Sequence, residues 1–265
     1  MPAADLIRQV ESLSAPYGLE RSVKITRGVL ADDRCLISVD RAALGHAPAE
    51  RLLAIGRALH IPPDFADALP ASLDGAEIVH FGYEAAAGRD VYKIYCEYAS
   101  AARAAMAAKS AAATLVHLAY KWMPARAESR AVTRYTWVPC RSRIELDERL
   151  EHLVPFREAA NARRCVATLL SRIPAYANSG RLLLMEVEER GNPRRSCDLN
   201  VYDAGLRMRD IADLVDAAVV DFAVPEARAR SVFDATAGRA LGHLSAGLGR
   251  DEQEFVTFYF GVEAH

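Results

Sequence analysis

Polar and apolar positions alternate with a period of two in many short stretches of this chain, and helix-period stretches separate them. The clearest alternation is Val91-Tyr92-Lys93-Ile94-Tyr95-Cys96-Glu97-Tyr98, dense in aromatic and β-branched residues. Successive side chains of a strand point to opposite faces, so Lys93, Tyr95 and Glu97 share one face. Tyr92, Ile94, Cys96 and Tyr98 share the other. Residues 196–202 repeat the pattern, with Asp198, Asn200 and Tyr202 opposite Cys197, Leu199 and Val201.

The same reading along the chain predicts five hairpins. Their strands are placed at 22–29 and 34–39, 77–84 and 91–98, 114–123 and 130–138, 181–189 and 195–202, and 241–248 and 254–262. Turn signals sit between partners: Ala31-Asp32-Asp33, Ala87-Gly88-Arg89, a loop over 124–129, Gly191-Asn192-Pro193 and residues 249–252. Helical periodicity fills the gaps, at 4–14, 48–59, 63–69, 99–112, 143–153, 156–171, 207–221 and 225–238. Leu6, Ile7, Val10 and Leu13 form one apolar stripe, and Pro48, Pro63 and Pro225 suit helix starts. Pro16 and Gly18 are read as ending the first helix, and Pro155 as separating two later ones.

The order is therefore a repeating α-α-β-β over residues 1–265, read as one domain. Ten antiparallel strands with helices on one face tend to curl, and closure removes the exposed edges. The fold class expected is α+β: a ten-stranded antiparallel β-barrel surrounded by helices, wide enough to hold a ligand. An open sheet whose polar face meets solvent is the competing reading. In the barrel, apolar strand faces meet the helices and polar faces line the lumen. That inner face collects Lys93, Lys121, Lys24, Tyr95, Tyr202, Tyr259, Glu84, Glu97, Asp198, Asn200, His80, His117 and His243. Val116 is placed outside with Leu118 and Tyr120. Two strands have ambiguous alternation; Glu186 is assigned inward beside Leu184, and Arg134 is carried as an inner candidate opposite Tyr135 and Trp137. Burying so many polar groups dry would be prohibitive, so the lumen is expected to be wet.

Composition narrows the function. Hydrophobic residues make up 51%, and 33 basic against 35 acidic side chains give a net charge of −2, which lacks the footprint of a nucleic-acid binder. No apolar run reaches the ~20 residues of a membrane span. Five scattered cysteines without a CxxC pair signal neither a zinc ribbon nor a disulfide framework. Met1-Pro2-Ala3-Ala4-Asp5 lacks the pattern of a secretory leader. The expectation is a cytoplasmic, monomeric protein acting on small molecules.

At this point the chain resembles the soluble aromatic prenyltransferases of the ABBA, or PT-barrel, fold. The resemblance rests on the order of elements, on Lys93-Ile94-Tyr95, which matches that family's Lys-x-Tyr motif, and on Asn200-Val201-Tyr202, which matches the Asn-x-Tyr of its bacterial branch. It implies transfer of a prenyl group from an allylic diphosphate to an aromatic acceptor, a reaction of secondary metabolism. It also implies that Lys93 and Asn200 contact the diphosphate while Tyr95 and Tyr202 shield the allylic cation. Lys121 and Arg134 are the further cations available for that role. No cofactor is required, and magnesium is compatible.

The residues themselves keep other chemistry open. A carboxylate such as Glu186 or Glu84 suits a general base toward an aromatic acceptor. Glu97, Asp198, His117, His243 and Tyr259 are lumen or substrate contacts. His80, His117 and His243 with Glu84 or Glu186 form an acceptable metal shell, although their spacing is not diagnostic, and no metal is assigned. The alternatives are a different small-molecule enzyme using lumen carboxylates and histidines, or a non-catalytic metabolite-binding barrel. No Walker A, GxGxxG or GxSxG element is present, nor an Asp-Asp-x-x-Asp cluster.

Overall fold

A computed structural model describes residues 2–86, 89–154, 157–174 and 183–265. The turn residues Ala87 and Gly88, the helix break at Pro155 and residues 181–182 of the seventh predicted strand lie outside the described residues.

The strands are β1 (Tyr17–Thr26), β2 (Val29–Ala31), β3 (Arg34–Asp40), β4 (Ile78–Ala86), β5 (Arg89–Glu97), β6 (Thr114–Met123), β7 (Arg126–Trp137), β8 (Leu183–Glu189), β9 (Arg195–Asn200), β10 (Leu241–Leu248) and β11 (Glu254–Ala264). From β3 to β11 each strand pairs antiparallel with the next, β3 and β2 both pair with β1, and β1 pairs with β11, so the sheet closes on itself. Short β2 and β3 are two pieces of one stave, since both pair with β1. The ring therefore has ten staves, as expected. The helices among the described residues are α1 (Pro2–Glu11), α2 (Pro48–Ala58), α3 (Pro63–Ser72), α4 (Ala99–Ala107), α5 (Arg143–Leu153), α6 (Ala160–Arg172), α7 (Ala212–Asp221) and α8 (Glu226–Thr236). None is long and apolar enough to cross a membrane.

Two apolar layers join helices to the outside of the ring. Leu6, Val10, Leu52, Ile55, Phe65 and Leu69 of α1–α3 cover Ile37, Val79, Phe81, Ile94 and Trp122. Leu150, Val166, Leu169, Leu214 and Val215 of α5–α7 cover Leu184, Leu199, Leu244, Val256 and Phe258. Each fully buried side chain of this size contributes about 1.5–3 kcal/mol. These layers orient the strands, and the alternate positions, polar on most strands, are left to face inward.

Several boundaries differ from the sequence reading. β1 begins at Tyr17, so Pro16 and Gly18 mark a strand entrance, not only a helix end. The first turn lies at Arg27-Gly28, where Gly28 takes φ 72°, and the break at Asp32-Asp33 interrupts the returning stave. β7 starts at Arg126, since Met123 pairs directly with Arg126 and the loop is short. A register shift between Leu115 and His117 places Val116 in an inner apolar cluster with Tyr135, Trp137, Met185 and Val187. Val116 is thus turned inward, not outward.

Candidate functional site

Inside the ring lies a cavity of about 450 Å3. Its wall takes Glu20 and Ser22 from β1, Arg34 and Ser38 from β3, His80 and Gly82 from β4, and Lys93, Tyr95 and Glu97 from β5. His117, Tyr135, Met185, Asp198, Asn200, His243 and Tyr259 complete it from later strands, and Ala102 and Met106 of α4 border it. The period-two alternation makes this lining.

One half is basic. The Glu84 carboxylate takes the Arg34 guanidinium and the Lys93 ammonium on the same oxygen, each at 2.5 Å, and Arg34 also donates to Ser22 Oγ at 3.1 Å. Burial would raise the Glu84 carboxyl, but Arg34 and then Lys93 hold it well below its ordinary range. Burial pushes Lys93 down to about 8, against the pull of Glu84. Gly82 makes room for this lysine, because a Cβ there would stand 3.3 Å from Lys93 and 3.4 Å from Tyr95. Nearby, Glu189 accepts from Lys121 at 3.2 Å, Thr133 at 2.8 Å and Arg194 at 3.2 Å, and also from Arg250. Lys24 sits over the Phe255 ring at 4.9 Å and is pushed down by burial. Six basic side chains thus gather around two carboxylates, and Arg34 and Lys93 are the two that border the cavity.

The other half is acidic and imidazole-rich. His243 Nδ1 lies 2.9 Å from Asp198, its Nε2 lies 3.4 Å from Glu20, and Tyr202 donates to Glu20 at 2.5 Å. Burial opposes the charge on His243, but Asp198 and Glu20 outweigh it and hold the ring as imidazolium, well above its ordinary pKa. Gly242 is required here, since a Cβ would fall 2.5 Å from the Tyr202 ring and 2.6 Å from Glu20. On the same half His80 contacts Glu97 at 2.6 Å and Ser38 at 2.7 Å, and His117 lies 3.9 Å from Glu97. Burial would raise Glu97, but His80 brings it down to about 2; burial pushes His117 down to about 4.

Tyrosines separate the halves. Tyr259 stacks on His243 at 3.8 Å, Tyr95 and Tyr135 lie 5.9 Å apart, and Tyr135 meets His117 edge-on at 5.5 Å. All three phenols are raised by burial first and stay neutral.

The structure brings together most of the sequence-read lining: Lys93, Tyr95, Glu97, His80, His117, Asp198, Asn200, Tyr202, His243 and Tyr259. It corrects others. Arg134 is exposed on the outer face, because Thr133 and Tyr135 take the inner positions of β7. Glu186 also points out and pairs with Arg149 of α5, so it is not a lumen base. Glu84 is the counter-ion of Arg34 and Lys93, and Lys121 that of Glu189; neither borders the cavity. Asn200 lies on the acidic half beside its cross-strand partner His243. Tyr202 opens a short 3-10 turn after β9 ends, yet its ring still reaches the cavity. His243 does not join His80 and His117. Sequence reasoning missed Glu20, Arg34, Tyr135, Glu189 and Arg194. Alternation across Glu20, Ser22 and Lys24 against Leu19, Val23 and Ile25 was the signal for the first.

No protein-family profile matches the chain, and no curated protein matches its sequence. Solved structures do match in fold. AnaPT from Neosartorya fischeri superposes with a TM-score of 0.56 at 12% identity, over 91% of this chain and 77% of that one. A 6-dimethylallyl tryptophan synthase gives 0.54 at 13%, over 92% and 80%. NotF in complex with brevianamide F and DMSPP gives 0.59 at 10%, over 91% and 79%. The closed ten-stave antiparallel ring with helices outside is the PT-barrel fold that these chains share.

Proposed function

We propose that this chain is an aromatic prenyltransferase, transferring a prenyl group from an allylic diphosphate to an aromatic small molecule inside the barrel. One observation carries the reading: a single cavity has cations at one side, neutral tyrosines in the middle, and carboxylates with an imidazolium at the other. The fold shared with the NotF prenyltransferase supports it.

In this reading Arg34 and Lys93 receive the diphosphate, and Lys24 adds charge behind them. The carbon–oxygen bond to the diphosphate breaks, and its electron pair leaves with the oxygen. The faces of Tyr95, Tyr135 and Tyr259 stabilise the allylic cation, each by about 0.5–2 kcal/mol. Electrons of the acceptor ring form the new carbon–carbon bond, and the ring proton passes to a carboxylate. Glu20 is the assigned acceptor of that proton, because it borders the cavity and is oriented by Tyr202 and His243. The test is calorimetry with dimethylallyl, geranyl and farnesyl diphosphates, followed by product analysis with a panel of indoles and phenols. Binding of at least one diphosphate that is lost in Arg34→Ala and Lys93→Ala supports the reading. No binding of any of the three overturns it.

A second reading has its own support: Glu84 already pairs with both Arg34 and Lys93 and offsets part of their charge. On that reading the barrel serves a polar, non-phosphorylated metabolite, and tight capture of such a molecule without diphosphate affinity distinguishes it.

A further inference from the structure

His80, Glu97 and His117 come from three adjacent strands and all face the cavity. Glu97 and His117 are direct cross-strand partners, and His80 is paired with Tyr95, two positions along β5. Their ligating atoms all lie within 4.8 Å of one another. We propose that these three side chains form a site for one divalent transition-metal ion of the zinc, cobalt or ferrous class, independent of the prenyl-transfer reading.

Three features beyond proximity support this site. Ser38 Oγ holds His80 Nδ1 at 2.7 Å, which fixes the ring and leaves Nε2 directed at Glu97. A polar group behind a metal-binding imidazole is the usual way its orientation is set. His117 Nδ1 is buried and has no hydrogen-bond partner. An unsatisfied buried polar atom costs about 1–3 kcal/mol, and a metal ion removes that cost. Finally, the three ligands approach from the wall, so the remaining coordination positions open toward the cavity.

The ligand chemistry sets the class of ion. Two imidazoles and one carboxylate suit zinc, cobalt and ferrous iron, whereas magnesium and calcium take oxygen-only shells. Tetrahedral zinc at about 2.0–2.1 Å places its ligand atoms about 3.3 Å apart. The 2.6 Å contact between His80 and Glu97 therefore opens and the 3.9 Å contact between His117 and Glu97 closes, both by side-chain rotation. The open positions would take an oxygen donor from a molecule in the cavity and polarise it.

The experiment uses tag-free, full-length protein stripped with a chelator. Cobalt is titrated and followed by its visible absorption, and zinc and magnesium are titrated by calorimetry. The expected result is one equivalent of cobalt or zinc, with zinc at least about 100-fold tighter than magnesium. His117→Ala and Glu97→Gln should each weaken zinc by about 100-fold or more, and Ser38→Ala by about tenfold. His243→Asn, in the neighbouring cluster, should leave zinc affinity unchanged. The proposal is overturned if the wild-type protein takes up no cobalt or zinc. It is equally overturned if folded His117→Ala and Glu97→Gln bind zinc like wild type. The wild-type cobalt titration decides the first point without any variant, so a poorly folding substitution does not obscure the answer.

Discussion

Raising the pH from 7 to 9 should discharge Lys93 and weaken diphosphate binding. Burial holds this lysine near pKa 8, against 10.5 for an ordinary one. By simple titration about nine-tenths of it is charged at pH 7 and about one-tenth at pH 9. A bound diphosphate favours the charged form, so the lysine pKa rises in the complex. Affinity is therefore at its plateau below pH 8 and falls as pH rises through about 8. At pH 9 the lost factor is about tenfold, or about 1.4 kcal/mol, since one pKa unit is 1.36 kcal/mol. The ligand's terminal phosphate ionises near pH 6 and does not contribute above 7.5. Folding carries the opposite sign: at this group the free protein gains stability from pH 8 toward 10.5, where the unfolded lysine holds a proton that the folded one lacks.

Calorimetry with dimethylallyl diphosphate in two buffers of different ionisation enthalpy measures both affinity and proton uptake. Uptake should rise from about 0.1 proton at pH 7 to about 0.9 at pH 9. The groups facing Lys93 are Glu84, Arg34 and Lys24, of which Lys24 is also pushed down by burial. Lys93→Arg separates them, because an arginine stays charged and flattens the profile. An affinity that is the same at pH 7.5 and 9.0 with no proton uptake would rule out a titrating Lys93 in the diphosphate site. A full slope retained in Lys93→Arg would reassign it to Lys24.

Two further outcomes follow from the register of the barrel. Arg134→Ala and Glu186→Gln should leave ligand affinity and turnover within about twofold of wild type, because both side chains face outward. The pair of Glu186 with Arg149 is partly solvated, so its loss should cost no more than about 1 kcal/mol in a urea melt; a tenfold loss of affinity would contradict the register. Glu189→Gln should destabilise the fold by about 3–5 kcal/mol, since it leaves buried Lys121 and half-buried Arg194 without their counter-charge. Urea unfolding with an unchanged m-value measures this, and a change under 1 kcal/mol would show that the network is not structural.

The barrel was legible because helix and strand periods alternate cleanly, and because β5, β9 and β11 each present one apolar and one polar face. Where the wall changes character, that signal reverses. Around β7 and β8 the lumen is itself apolar, built from Tyr135, Trp137, Met185 and Val187. The charged alternates, Arg134, Glu186 and Glu188, are therefore on the outside. Polarity marks the lumen on the other strands but not here, and so Arg134 and Glu186 face opposite to what their charge suggests. Glu20 is hidden for a different reason: Pro16 and Gly18 look like stops, although β1 already begins at Tyr17. Arg34 and Arg194 flank turns, where a charge ordinarily meets water, and only closure of the ring brings them inside. His243 was legible as a lining residue but not as the partner of Asp198 on the adjacent strand or of Glu20 two strands along, since contacts between strands far apart in sequence leave no local pattern.

The internal carboxylates shape what this lumen can accept. Six basic side chains in a confined space would repel one another strongly at low dielectric. Glu84 and Glu189 offset that repulsion in the free protein, and they do so from beneath the cavity wall. A ligand arriving at Arg34 and Lys93 therefore does not meet bare cations. It must share them with Glu84, so the gain on binding is the difference between two anion contacts and not the whole of one. A neutral oxygen cannot compete on those terms, whereas a diphosphate brings more charge than a single carboxylate and more acceptor atoms than Glu84 uses. The Glu20–His243–Asp198 cluster has the reverse bias: two carboxylates around one imidazolium favour an N–H or O–H donor. The two ends of one cavity thus select for different halves of a reaction, and Tyr95, Tyr135 and Tyr259 stand where the halves would meet.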